Sequence, residues 1–257
     1  MTGDQEELFK TVTSDLQEQA KARAVEEMFA AVARRYDLAN HVLSLARDIA
    51  WRRATARELR EALAQPGSIA VDACCGTGDL SLALARVSAG TVVGTDFCRP
   101  MLQLAQRKAG NQAGPAFFLE ADTLRLPFRD GSLDVVSMAF GFRNLASYTR
   151  GLEEMHRVLK PGGWLAILEF SQVRWPVVGS MFRLYFHYVL PCLGAWISGV
   201  NGPYQYLPDS VSRFPDQERL AALMCEAGFK NVRYRNFTGG VAALHLGQRS
   251  GSETNRN

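Results

Sequence analysis

The stretch from Ser68 to Asp96 constrains the fold more than any other part of the chain. Ile69-Ala70-Val71 is a short apolar run typical of a strand buried in a parallel sheet, and Gly76-Thr77-Gly78 follows it as a turn. Leu80 to Arg86 repeats apolar residues at helical spacing, and Thr91 to Thr95 reads as a second strand. The stretch therefore predicts a strand, a glycine turn, a helix and a second strand, the unit from which α/β proteins are built.

The glycine turn predicts a ligand site. Where a strand passes into a helix through glycines, the backbone can approach a ligand closely, and the first helical N–H groups lack partners within the helix. Asp96 stands about 20 residues after Gly76, where an acid can accept hydrogen bonds from both hydroxyls of a ribose. We therefore expect Gly76, Thr77, Gly78 and Asp96 to hold a nucleoside; the alternative is a tight turn that binds nothing.

The residues around the turn favour one class of nucleoside cofactor. A dinucleotide site has the pattern G-x-G-x-x-G/A, and here the third position is Ser81. The acids Asp72 and Asp79 would repel a pyrophosphate and suit a cationic ligand. S-adenosylmethionine, a sulfonium with an α-amino group, fits these residues better than NAD or FAD.

Composition excludes several classes of protein. The 257 residues are enough for one large α/β domain, and 29 Lys and Arg against 26 Asp and Glu do not make the strong basic field of a nucleic-acid protein. The N-terminus is polar and has no apolar run, which predicts a cytoplasmic protein. Five cysteines without C-x-x-C spacing argue against a disulfide framework and a zinc site, and we expect no metal.

The sequence predicts a single domain with a segment added at each end. Residues 1–23 are polar and predict a mobile arm, 24–249 form a single α/β domain, and 250–257 read as a disordered tail. Within the domain, residues 24–60 predict a helical cover over the carboxyl ends of the strands. Its second helical element, which begins at Tyr36-Asp37, places four apolar residues on one side: Leu38, Val42, Leu45 and Ile49.

Five more strands are predicted after Asp96. The third ends at Asp122, the fourth near Ala139, and the fifth is WLAILEF, each separated from the next by a helix or a loop. The last two are joined at Thr238-Gly239-Gly240 and predict an antiparallel hairpin at the sheet edge. We expect a seven-stranded, mostly parallel sheet of the doubly wound type, with its ligand at the strand carboxyl ends.

Residues 172–206 interrupt the alternation of strands and helices with an apolar and aromatic insertion. Charged residues, prolines and glycines break it too often for a transmembrane helix. Three readings stay open: it lines an apolar pocket, it touches a bilayer surface, or it is a helical insertion packed in the core.

Three separate segments of the chain resemble the ubiquinone/menaquinone biosynthesis C-methyltransferases. The first runs from Tyr36-Asp37 through Asn40 and Ser44 to Trp51-Arg52. The second is FGFRN at 140–144 with RVLKPGG and EFS after it, and the third combines YLPDS, FPDQ and TGGVAALH near the C-terminus. The resemblance covers about Val25 to Arg249 and implies the Rossmann-like class I methyltransferase fold with S-adenosylmethionine as cofactor.

The resemblance also implies cofactor positions at Thr77, Asp96, Asp122, Thr123 and Ala139, the last of which is often Ser in the family. Two further departures are Cys74, where many methyltransferases have a first glycine, and Ala46, where the family's first signature usually has glycine. Its Cys-Cys-Gly-Thr-Gly loop is similar to that of the menaquinone-pathway members, so the resemblance favours demethylmenaquinol over a benzoquinol acceptor.

For catalysis the resemblance implies Arg143, Asn144 and Tyr36. Carbon methylation needs an electron-rich ring, which a deprotonated hydroquinone supplies. Arg143 is too basic to act as the base, so we expect it to stabilise the phenolate or to orient a water, while Asn144 and Tyr36 position the ring oxygens. The alternatives are a structural salt bridge for Arg143 and simple packing for Tyr36.

The predicted partners are a prenylated hydroquinone and the membrane lipid in which it resides, with peripheral attachment in place of a membrane span. A homodimer or a quinone-synthesis complex is a further expectation. Competing functions are methylation of the ubiquinone-pathway 2-methoxy-6-polyprenyl-1,4-benzoquinol, methylation of another lipophilic acceptor, a binding protein that transfers nothing, and, more distantly, an NAD-linked oxidoreductase.

Overall fold

The computed structural model describes residues 20, 23–110, 116–173 and 202–251. Arg23, at the end of the predicted mobile arm, already belongs to a helix. Most of that arm, most of the apolar insertion and most of the C-terminal tail lie outside the described residues. What the sequence predicts for them therefore stays a prediction.

The described helices and strands alternate along the chain. The helices are α1 (23–32), α2 (Tyr36–Leu43), α3 (Arg47–Glu58), α4 (Arg60–Leu63), α5 (Asp79–Ala85), α6 (Arg99–Gly110), α7 (Tyr148–Val158), α8 (Gly202–Arg213) and α9 (Gln217–Glu226). The strands are β1 (Ile69–Ala73), β2 (Thr91–Asp96), β3 (Ala116–Glu120), β4 (Leu133–Ala139), β5 (Leu159–Phe170), β6 (Phe229–Phe237) and β7 (Ala242–Arg249).

These seven strands form one sheet in the order β3-β2-β1-β4-β5-β7-β6. The pairs from β3 to β5 are parallel, and β7 is antiparallel to both β5 and β6. The predicted fold class, with its antiparallel C-terminal hairpin, is confirmed. The strand order reverses at β1, whose neighbours are β2 and β4, and an α/β sheet of this type binds ligands at such a switch point.

The core has two layers, one on each face of the sheet. On one face, Leu152 and Met155 of α7 pack with Leu220 of α9 against the central strands. On the other face, Trp51 of α3 and Leu84 of α5 pack against the same strands. Because both faces are covered, β1 and β4 read in the sequence as continuous apolar runs and not as alternating ones.

Strand β5 begins earlier than the sequence predicts. Leu159 already pairs with Leu133, and the register then shifts before Val135 pairs with Trp164. Gly162, with φ of +80°, supplies the backbone conformation for this irregularity. The glycine-rich segment before WLAILEF is therefore an irregular start of the strand rather than a separate loop.

The second element of the cover differs from its prediction. Leu45 and Ala46 have φ of +52° and +57°, and they break the predicted element into α2 and α3. Leu38 and Leu45, predicted to share a packed side, are 59% and 82% exposed. The prediction fails because α3 buries a polar face instead, formed by Asp48, Arg52 and Thr55 with the aromatic Trp51.

Replacing Ala46 with glycine is expected to raise the free energy of unfolding by about 0.5–1 kcal/mol. A Cβ in the left-handed region costs about 1–2 kcal/mol, and the extra backbone entropy that glycine loses on folding offsets part of the gain. Urea denaturation measures the change. The control Ala50→Gly, at an exposed position inside the helix α3 that Ala46 precedes, should lower stability by about 1 kcal/mol. A loss of stability from both substitutions would contradict the strain assigned to Ala46.

None of the described helices is both long enough and apolar enough to cross a membrane.

Candidate functional site

A pocket opens at the carboxyl ends of β1, β2 and β4, beneath the helices of the cover. This is the edge and the switch point at which the sequence places the ligand. Seven of the predicted site residues line it: Tyr36, Asp72, Gly76, Thr77, Asp96, Ala139 and Asn144. The other predicted residues, Gly78, Asp122, Thr123 and Arg143, lie outside the lining.

The turn after β1 has the backbone that the sequence predicts. Gly76 and Gly78 have φ of +54° and +83°. A Cβ on Gly76 would meet no atom within 4 Å, so the backbone borders open space there, whereas one on Gly78 would lie 2.9 Å from the Phe118 ring. Cys74 also has a positive φ, of +50°, a backbone conformation that glycine adopts more readily than other residues. The turn therefore leaves room for a ligand at Gly76.

Asp96 closes the turn from the end of β2. One carboxylate oxygen accepts a hydrogen bond from the Gly76 backbone N–H at 2.8 Å, and the other accepts one from the Cys98 N–H at 2.8 Å. Burial raises the pKa of Asp96 to about 6, although the two backbone donors oppose the shift. An acid fixed in this way keeps the spare lone pairs that ribose hydroxyls would use.

Asp72 lies beneath the turn and is fully buried. Its carboxylate accepts hydrogen bonds from the hydroxyls of Ser81 at 2.7 Å and Ser137 at 2.9 Å. Burial raises its pKa to about 6 against the effect of both serines. Ser81, which weakens the dinucleotide pattern in the sequence, is thus one of the two serines that satisfy this buried acid.

Thr77 connects the turn to the cover. Its hydroxyl donates to a carboxylate oxygen of Asp37 in α2, and Lys108 of α6 donates to the same hydroxyl at 3.0 Å. The Lys108 ammonium also pairs with Asp37 and, at 2.7 Å, with Asp79. The acid Asp79, which the sequence offers to a cationic ligand, already has a cationic partner within the protein.

The residues after β3 lie beside the pocket. Asp122 is exposed, and its carboxylate accepts from the Leu124 backbone N–H at 2.9 Å. Thr123 is buried, with its hydroxyl 3.2 Å from the Cys74 sulfur. Cys74 itself lines the pocket, so Thr123 supports the wall from behind.

Tyr36 of the cover and Asn144 after β4 both line the pocket. Tyr36 begins α2, and burial raises the pKa of its phenol, while Arg143 and then an Asn40 hydrogen bond oppose that rise. Asn144 follows β4, and its side-chain oxygen accepts from the Tyr206 hydroxyl at 3.2 Å. Both side chains can hydrogen-bond a polar ligand.

Arg143 lies behind Asn144 in a buried ion pair. Its Nη1 donates to Glu169 at 2.7 Å and to the Phe140 carbonyl, and its backbone N–H donates to the second Glu169 oxygen at 3.2 Å. Arg143 is 7% exposed and Glu169 is 1% exposed. Burial raises the pKa of Glu169, and the Arg143 charge opposes that rise. The structure therefore contains the salt bridge that the sequence analysis holds as the alternative role of Arg143.

Arg52 lines the pocket, although the sequence names it only as the end of the first family segment and not as a site residue. It lies in α3, with Nη1 donating to Asp48 one helical turn earlier. Its guanidinium carbon lies 5.1 Å from the centroid of the Phe140 ring. The signal was present in the sequence, because Asp48 and Arg52 are four residues apart and so share one face of a helix.

Comparison with known proteins agrees with this geometry. Residues 15–249 match the ubiE/COQ5 methyltransferase family. A demethylmenaquinone methyltransferase of Deinococcus radiodurans is 50% identical over 232 residues, which cover 90% of this chain and 95% of the relative. One from Thermus thermophilus is 49% identical over 223 residues, covering 86% of this chain and 100% of the relative.

Solved structures match at the level of the fold. A SAM-dependent methyltransferase of Thermotoga maritima, described as a possible histamine N-methyltransferase, superposes with a TM-score of 0.60. The match covers 87% of this chain and 99% of that one, at 17% identity. At that identity the likeness supports the class I methyltransferase fold and leaves the acceptor open.

Proposed function

The chain belongs to the ubiE/COQ5 methyltransferase family, and on that premise we propose that it methylates a ring carbon of demethylmenaquinol with S-adenosylmethionine as the methyl donor. The names of relatives that are about half identical over most of the chain support the naphthoquinol ring. The structural observation that carries the proposal is the convergence on one pocket of the glycine turn and Asp96 with Tyr36 and Asn144.

The residues present fit S-adenosylmethionine. Open space beside Gly76 admits the ligand to the backbone, and Asp96 offers lone pairs to a ribose. The negative charges of Asp72 and Asp96 suit a ligand with a sulfonium and an ammonium group. When bound, the cofactor supplies an electrophilic methyl group on sulfur.

The chain's own residues prepare the acceptor. A hydroquinone becomes nucleophilic at carbon when one hydroxyl loses its proton, so the site must hold the ring and favour the phenolate. The Tyr36 phenol is neutral and serves as a hydrogen-bond donor to a ring oxygen, and burial raises its pKa further. Asn144 binds a ring oxygen through its side-chain amide. Arg143, next to Asn144, contributes positive charge that favours the phenolate, although pairing with Glu169 reduces the effect of that charge.

Transfer of labelled methyl to two acceptors tests the proposed function. The acceptors are demethylmenaquinol and 2-methoxy-6-polyprenyl-1,4-benzoquinol, each with and without chemical reduction. We expect transfer only to reduced acceptors, with the naphthoquinol preferred at least about tenfold. That ratio corresponds to roughly 1.4 kcal/mol of differential transition-state binding. Preference for the benzoquinol would move the protein to the ubiquinone pathway, and transfer to neither would overturn the proposal.

Cofactor affinity is expected to fall as the pH drops below about 6. Asp96 binds ribose as a carboxylate, and its raised pKa of about 6 means that protonation begins there, so the Kd should rise about tenfold per pH unit below that value. Stability runs the other way. The folded-state pKa exceeds the ordinary 3.8, so the folded chain binds the proton more tightly, and this acid's contribution to stability becomes less favourable as the pH rises from about 4 to about 6. Calorimetric titration at pH 5 to 8 measures the affinity, and a flat profile would contradict the role of Asp96.

We also propose that the cover meets the lipid in which a prenylated acceptor resides. Support comes from two exposed leucines, Leu38 within α2 and Leu45 just after it; α2 is the helix that begins with the pocket residue Tyr36. Replacing both leucines with serine should lower binding to anionic liposomes about tenfold in a flotation assay, because each buried leucine contributes roughly 1–3 kcal/mol and only part of it inserts. The control Leu119→Ser changes an exposed residue on edge strand β3 and should have little effect. Equal effects, or no liposome binding at all, would contradict this contact.

A further inference from the structure

The charges that line the pocket are of both signs. Three carboxylates line it, those of Asp72, Asp79 and Asp96, and Arg52 is the one positively charged residue among the described lining. Two other cations lie nearby but are paired elsewhere. Arg143 pairs with Glu169, and Lys108 pairs with Asp37 and Asp79.

Arg52 is held in place from two sides. Asp48 accepts from its Nη1 and is itself fixed by the Ser44 hydroxyl at 2.7 Å and by His41 Nδ1 at 2.9 Å. Burial alone would raise the pKa of Asp48, but Arg52, Ser44 and His41 together hold it below the ordinary value, so it remains an anion. The Phe140 ring supports the guanidinium face. Because these contacts fix the side chain before any ligand arrives, little entropy is lost when it binds one.

Most of the guanidinium remains available. An arginine has five N–H donors, and within the described part of the chain Asp48 is the only hydrogen-bond partner of Arg52. Arg52 is also 8% exposed, so its charge is largely withdrawn from solvent. A preorganised, weakly solvated guanidinium with free donors is a site for an oxyanion, above all a carboxylate, which it can bind in a bidentate manner.

We propose that Arg52 binds the carboxylate at the amino-acid end of S-adenosylmethionine, and that Asp48 is the residue that positions it. This inference rests on the proposed function, which supplies the cofactor. S-adenosylmethionine has two positive groups and one negative group. The pocket carboxylates suit its sulfonium, its ammonium and its ribose, but they repel its carboxylate. Arg52 is the residue of the described lining that can compensate that charge.

Decarboxylated S-adenosylmethionine provides the test, because it keeps the sulfonium and the ammonium and lacks only the carboxylate. Calorimetric titration of the full chain measures the Kd of both ligands. We expect Arg52→Met to weaken S-adenosylmethionine about 30-fold, a typical loss for charge-assisted hydrogen bonds, and to weaken the decarboxylated ligand by less than about threefold. Arg53→Met, at the exposed neighbour in the same helix, is the matched control and should change neither Kd.

Two further variants cover the case in which Arg52→Met does not fold with Asp48 unpaired. Arg52→Lys keeps a positive charge beside Asp48 but lacks the planar guanidinium that binds a carboxylate in a bidentate manner. Asp48→Asn keeps Arg52 but removes the carboxylate that holds its side chain in place. Both should weaken only the carboxylate-bearing ligand, by about three- to tenfold. Equal losses for the two ligands would overturn the proposal. So would unchanged binding accompanied by a lower kcat, which would assign Arg52 to the acceptor's phenolate.

The same titrations separate this inference from the function on which it rests. Failure of the unmodified chain to bind S-adenosylmethionine would remove the proposed function. Tight binding by the unmodified chain with no ligand-specific effect of Arg52→Met would remove only the role of Arg52.

Discussion

Replacing Arg143 with methionine is expected to lower the free energy of unfolding by about 3–5 kcal/mol and to abolish methyl transfer. The substitution leaves Glu169 buried without its cationic partner, and removal of one member of a buried ion pair has a cost of that size. Urea denaturation measures the loss. The exposed pair Arg219–Glu226 has the same 2.7 Å separation, and Arg219→Met should cost less than about 1 kcal/mol because water screens that pair.

The double variant Arg143→Met with Glu169→Leu separates stability from catalysis. With both charges removed, a close-packed apolar pair should recover most of the lost stability. We expect this variant to be folded and still inactive, because the predicted role of Arg143 is to stabilise the acceptor's phenolate. A folded double variant with near-normal transfer would show that Arg143 is a structural residue, as the alternative reading of the sequence holds.

Replacing Asp96 with asparagine is expected to raise the Kd for S-adenosylmethionine about 100-fold. The two carboxylate oxygens accept from the backbone of Gly76 and Cys98, and an amide would turn an N–H₂ group toward one of these donors. It would also lose the charge that strengthens a hydrogen bond to ribose, and together these losses amount to roughly 2–3 kcal/mol.

Calorimetric titration checks the Asp96 prediction, with Glu120→Gln as the control. Glu120 is an exposed acid at the end of the neighbouring strand β3 and lies outside the pocket lining. The Kd of Glu120→Gln for S-adenosylmethionine should therefore stay within about twofold of that of the unmodified chain. A change of less than threefold for Asp96→Asn would remove the ribose role.

Most of the fold could be predicted from the sequence because its signals are local. The apolar runs of β1 and β4 and the glycine hairpin between β6 and β7 each predict their own element. The right-handed connection of parallel strands then leaves few sheet orders open. The glycine turn and Asp96 were predictable for the same reason, since one βαβ unit brings them together.

The cover could not be predicted in the same way. Hydrophobic periodicity places Leu38 and Leu45 inward, and the structure exposes both of them, while the polar Asp48 and Arg52 are buried. Periodicity assumes that the buried face of a helix is the apolar one. That assumption fails where a helix supplies charged groups to a pocket, as α3 does with Arg52.

The sequence by itself determined the α/β class, the hairpin, and the glycine turn closed by Asp96, because neighbouring residues and fixed backbone geometry specify each of them. Only the tertiary structure decided which charges meet. It pairs Arg143 with Glu169, which is 26 residues away, and it joins Thr77 of the turn to Asp37 of the cover. It also fixes Arg52 between Asp48 and Phe140. The free energy of a buried charge depends on the groups that surround it in space, and the order of residues along the chain does not record them.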